Sequence, residues 1–210
     1  MYFLILVFFI SCQKEKRVND KTTTIDATKA VKISDYWTLP KESFGLYQSN
    51  ADHASSGDTL SLATCSEYVY SPFGRLNSKR DLGTSRLGNF LWTDRIEKMD
   101  NGEFEFQILK LNSNNLILFF DSTSHVRSTY VFKGEINDSD VVFADNIKIG
   151  MTKDDFINAF FDDFPKDQLV RYNTIILEPC VEGTKHVYSF NGNKLSRVEF
   201  KSNSYWTVNY

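Results

Sequence analysis

Histidine is scarce in this chain. His53, His125 and His186 are the only three in 210 residues, far apart and without the His-Glu-x-x-His spacing of a metal site. No Gly-x-Ser-x-Gly elbow is present, and Gly83-Thr84-Ser85-Arg86-Leu87-Gly88 has no lysine at phosphate-loop spacing. The acidic pairs Asp138/Asp140, Asp154-Asp155 and Asp162-Asp163 do not follow the spacing of a calcium loop and read as solvated faces. The sequence therefore offers no catalytic residue, no cofactor-binding residue and no metal-ligand set, and an enzyme is not expected. A basic excess is missing too: the formal net charge of −3 argues against a nucleic-acid partner. No apolar run reaches the roughly 20 residues that a membrane-spanning helix needs.

A shorter apolar run is there. Met1–Ile10 (MYFLILVFFI) matches the hydrophobic core of a secretory signal, and Phe9-Ile10-Ser11-Cys12 resembles a bacterial lipobox, in which a small residue precedes a lipid-modified cysteine. Residues 1–11 are read as a lipoprotein signal peptide and Cys12 as the lipidated residue. Phe9 stands where leucine is usual and no basic residue precedes the run, so a start upstream of Met1 is one reading. A buried N-terminal element is the rival one. Residues 12–32 carry Lys14-Glu15-Lys16-Arg17 and Thr22-Thr23-Thr24 with no apolar period, the composition of a flexible tether. Gln13 rather than Asp after the cysteine implies the outer membrane, with the domain facing the periplasm.

Beyond the tether the composition is ordinary for a globular domain, with 41% hydrophobic and 24% charged residues. Aromatics reach 15%, which favours strands. Residues 33–144 read as a β-rich N-terminal half. Asp35–Leu39 is a candidate opening element, Gln48–Asp58 a loop, Thr59–Tyr70 a strand bent near Cys65, and Leu76–Gly88 an exposed loop. Phe104, Phe106 and Ile108 alternate strictly with Glu103, Glu105 and Gln107, and Asp100-Asn101-Gly102 turns that strand back onto Leu91–Met99. Leu116–Phe120 and Val126–Phe132 continue the meander, with a turn expected at Lys133-Gly134 leading into Glu135–Phe143.

Residues 145–210 read as a helix-plus-hairpin half. Ile147 and Ile149 end a short strand, Gly150 turns, and Thr152 caps a helix over about 152–164 with Asp155 as its capping-box partner. Phe156, Ile157, Phe160, Phe161 and Phe164 form its apolar face before Pro165. Leu169–Leu177, Lys185–Phe190, Leu195–Phe200 and Tyr205–Val208 follow as strands. The expected fold class is α+β: antiparallel sheet with that helix packed on one face. Tyr68–Leu76 echoes His186–Leu195, each preceded by a cysteine, which would fit two related halves or chance.

With Cys12 lipidated, Cys65 and Cys180 remain in an export compartment where disulfides persist. One bridge between them is the leading reading; two buried thiols, or a thiol with His186 as base, are the alternatives.

Ile149-Gly150-Met151-Thr152-Lys153-Asp154-Asp155-Phe156 and the hairpin His186–Phe200 resemble the core of the SmpA/OmlA (BamE-like) lipoproteins, a pattern shared by β-lactamase-inhibitor-protein-like repeats. The resemblance covers the last third of the chain, and Phe161–Lys166 lacks the Gly-x-Pro those families carry there. It implies a non-catalytic envelope domain that binds another protein or supports envelope assembly. The competing function is a periplasmic carbohydrate-binding or carbohydrate-processing accessory, for which Trp37, Trp92 and Trp206 would supply stacking faces.

Overall fold

Among the described residues, eight strands form one mainly antiparallel sheet: β1 (Thr59–Thr64), β2 (Leu91–Met99), β3 (Gly102–Leu111), β4 (Asn114–Asp121), β5 (Ser128–Ile136), β6 (Thr174–Pro179), β7 (Thr184–Asn191) and β8 (Lys194–Ser202). Their order across the sheet is β1-β6-β7-β8-β5-β4-β3-β2. The helices among the described residues are α1 (Glu67–Tyr70), α2 (Lys153–Phe160) and short 3-10 turns at Lys79–Thr84 and Ala144–Asn146. The structure is a computed structural model that describes residues 58–64, 66–99, 102–121, 128–160, 164, 169–179 and 183–202. All of these belong to the second of two units, Met1–Ala30 and Val31–Tyr210.

The β2–β3 hairpin forms as the alternation and the Gly102 turn require, with Arg95 opposite Phe106 and Met99 opposite Gly102. The meander continues through β4 and β5, but its expected turn at Lys133-Gly134 does not exist. β5 runs straight through both residues, and β8 pairs there, with Gly134 opposite Phe200. Gly134 serves close packing instead: a Cβ at that position would run into Leu116 Cδ2 and lie 2.9 Å from the Asn115 carbonyl oxygen. The long Glu135–Phe143 strand is likewise replaced by the end of β5 and irregular chain.

Other expectations shift for local reasons. Ser66 accepts a hydrogen bond from the Tyr68 N–H (3.2 Å) and starts α1, so the Thr59–Tyr70 strand ends at Thr64. The two echoing segments thus differ, since Glu67–Tyr70 is helical whereas His186–Phe190 lies in β7. The stretch Leu76–Gly88 is only partly exposed: Asp81 accepts from the N–H groups of Asn77 and Ser78 (2.7 and 3.0 Å), and Leu82 and Leu87 are buried. Ile147 and Ile149 follow a 3-10 turn rather than ending a strand. Asp35–Leu39, Phe161–Asp163 and Tyr205–Val208 lie outside the described residues.

The start of α2 follows its sequence closely. The Asp155 N–H donates to Thr152 Oγ1 (3.1 Å) and the Thr152 hydroxyl donates back to Asp155 Oδ2 (2.6 Å). Gly150, at φ +89°, donates its N–H to the Leu195 carbonyl (2.8 Å), and Lys153 donates its own to Asn193 (2.9 Å). These bonds tie the helix start to the β7–β8 hairpin, and Phe156, Ile157 and Phe160 are buried in the main core with Tyr188, Phe190 and Val198. The buried Lys153 ammonium donates to the carbonyls of Tyr172 (2.6 Å) and Leu169 (3.4 Å), and burial holds its pKa below the usual lysine range. A smaller cluster of Phe106, Ile117 and Phe132 is separate from this core.

Candidate functional site

Two places carry features beyond packing. The first is a buried polar chain where α1 meets β7. Tyr188 donates to Tyr68 Oη (2.9 Å), and its oxygen lies 3.2 Å from His186 Nδ1. The other ring nitrogen, Nε2, is buried and receives no hydrogen bond of normal geometry among the described residues. His186, Tyr68 and Tyr188 are all fully buried. Burial pushes the imidazole down to about 3, opposed by the Val69 backbone, and pushes both phenols up. A cavity of about 10 Å³ beside His186, between Val69, Tyr70, Tyr130, Val131 and Thr184, has room for one water.

Near Tyr68 lies Asp145, one of two consecutive residues with positive φ (Asp145 +56°, Asn146 +59°). Its Oδ2 is buried without a partner among the described residues, and burial raises its carboxyl to about 6, with Arg86 pulling the other way. These two groups oppose each other in acid. For His186 the folded pKa lies below the unfolded one, so its stability contribution is present above about 6.5 and is lost as pH falls toward 3. For Asp145 the folded pKa is raised, so its contribution is present below about 3.8 and is lost as pH rises through 6. Denaturant unfolding between pH 7 and 4 should therefore show a shallow net slope in the native chain. Asp145→Asn should steepen the acid loss, and His186→Gln should reverse it. A slope unchanged in both variants would contradict the assignment.

The second place is the outer edge of the sheet at β2. Leu91, Trp92 and Ile96 are 81%, 43% and 62% exposed, and among the described residues no strand pairs with the far side of β2. Long edge strands of this kind are usually guarded or used, because their unpaired N–H and C=O groups template another strand. β2 carries both signs of charge: Lys79 bonds Glu105 and Asp94 (3.1 Å to the latter), Arg95 bonds Glu97, and Lys98 bonds Glu103 (3.1 Å).

Of the residues singled out by sequence, His186 and Trp92 are placed as described, and Trp92 makes no ring contact with another described aromatic. Asp138 and Asp140 accept hydrogen bonds from Asn114 (2.7 Å) and Asn112 (3.5 Å) around the β3–β4 turn. Asp154 and Asp155 are exposed on α2. Cys12, Cys65, Cys180, His53, His125, Trp37 and Trp206 lie outside the described residues. Among the described residues no group of three or more His, Cys, Asp or Glu could hold a metal ion, and no helix is long and apolar enough to cross a membrane. Sequence reasoning missed Tyr68, Tyr188 and Asp145, whose partners are distant in the chain and leave no local pattern. No family model, curated protein or solved structure matches this chain.

Proposed function

We propose that this chain is a lipid-anchored domain of the cell envelope, non-catalytic, that binds another polypeptide by strand addition at the β2 edge. The observation that carries the reading is the exposed outer edge of β2, nine residues long with Leu91, Trp92 and Ile96 uncovered. A strand laid along it would gain main-chain hydrogen bonds for affinity and side-chain contacts for selectivity.

The anchor is proposed at Cys12, which would hold the domain at the outer membrane on the tether of residues 12–32, facing the periplasm. The accompanying fold is α+β with α2 covering one sheet face, supported by the burial of Phe156, Ile157 and Phe160. A Cys65–Cys180 bridge is proposed beside the β1–β6 pair.

The reading is tested in cells with a photo-crosslinking residue at Trp92 or Ile96 and, as control, at the exposed Lys148. Adducts to polypeptide at both edge positions and not at Lys148 are expected. Fatty-acid label should enter the native chain and be lost from Cys12→Ser. Absence of edge adducts would refute the binding role, and equal labelling of the two chains would refute the anchor.

A further inference from the structure

The charge pattern along β2 also says which strand fits its edge. We propose that the β2 edge pairs with β2 of a second copy, antiparallel, across a twofold axis at Ile96. This inference rests on the reading of β2 as a binding edge and names its occupant.

A twofold that continues one sheet into another runs perpendicular to it, so each residue must face a residue of the same sheet face. Only registers in which a residue sits opposite its own copy, or opposite one an even number of places away, are then allowed. In Thr93-Asp94-Arg95-Ile96-Glu97-Lys98 these registers differ sharply. Centring on Asp94, Arg95, Glu97 or Lys98 stacks a charge on its own kind, which destabilises a strand pair. Centring on Thr93 sets Asp94 against Trp92 and Arg95 against Leu91.

Centring on Ile96 sets Ile96 against Ile96, Arg95 against Glu97 and Asp94 against Lys98, each ion pair occurring twice by symmetry. The exposed Ile96 side chain would be covered at the axis. Arg95 and Glu97 already form an ion pair on one face of β2, and the reversed copy would close that pair into a ring of alternating charges. Lys98 and Asp94, on the other face with Ile96, would keep their contacts to Glu103 and Lys79 while facing each other's copies. Mixed charges on an edge can equally serve to repel other strands. That role requires no matched register, whereas pairing does.

The test is sedimentation equilibrium of the full chain in detergent over a concentration series. The native chain should approach twice the chain mass. Arg95→Glu and Glu97→Arg, each alone, place like charges opposite one another and should weaken association by at least about tenfold. The double exchange restores the opposite pairing and should restore the dimer. Hydrogen exchange of the native chain offers a second readout free of any variant: amides within Thr93–Lys98 should gain protection as concentration rises. A native chain that stays monomeric without that protection overturns the proposal. So does association that both single exchanges leave intact, as from the apolar N-terminal run, or a double exchange that fails to rescue. A monomer whose Ile96 still forms adducts with a different protein in cells would sink this pairing and leave β2 as a binding edge; a monomer with no adducts would sink both.

Discussion

Replacing Cys65 and Cys180 together by alanine should lower the unfolding free energy by about 4–5 kcal/mol, the chain-entropy value for a closed loop of about 115 residues. The two cysteines lie outside the described residues, next to the ends of a paired strand couple. β1 and β6 pair in parallel with Thr59 opposite Thr174, and the last described partners are Thr64 and Pro179. Cys65 and Cys180 follow these two residues directly in the sequence. Urea unfolding of the exported protein with and without reductant measures the loss. Mass spectrometry after alkylation in denaturant without reductant should find both thiols blocked. Quantitative alkylation of both cysteines, or a midpoint indifferent to reductant, would rule the bridge out.

Phe156→Ala should cost about 3–5 kcal/mol, the range for truncating a buried aromatic ring in a core that cannot collapse around the void. Phe156 is fully buried, with ring centroids 4.6 Å from Tyr188, 5.0 Å from Phe160 and 5.4 Å from Phe190. It therefore joins α2 to β7, and its loss opens the seam between helix and sheet. Phe156→Leu keeps most of the volume and should cost much less. Chemical denaturation reads both. A loss below about 1 kcal/mol for Phe156→Ala would mean that α2 adds little to the core.

The Asp145 and His186 pair shows where composition stops informing. Neither residue has a local pattern of its own; each acquires its altered proton affinity from what the assembled fold removes from water around it. His186 read as one face of a strand, and so it is, but whether that face met water depended on Tyr68, 118 residues away, packing edge-on against it. The open edge of β2 is similar. The Asp100-Asn101-Gly102 turn marks Leu91–Met99 as the partner of an alternating strand, but only the order of the sheet shows that β3 covers one side of β2 and no described strand the other. Gly134 was misread because glycine supports two different needs, a turn and a close approach, and only Leu116 across the ladder separates them.

The sequence by itself determined the elements whose signals lie within a few residues of one another. These include the β2–β3 hairpin around Gly102, the Thr152–Asp155 cap of α2, and the β7–β8 hairpin around Gly192. In each, the turn or capping residue and the side-chain period act on the same short stretch, so no distant contact is needed to choose the outcome. The tertiary structure alone decided the parallel pairing of β1 with β6, the joining of β5 to β8, the burial of His186 with two tyrosines, and which strand was left at the edge. Period-two strands are nearly interchangeable as partners. The choice among them rests on the apolar surface that the whole sheet buries, a quantity summed over residues far apart in the chain.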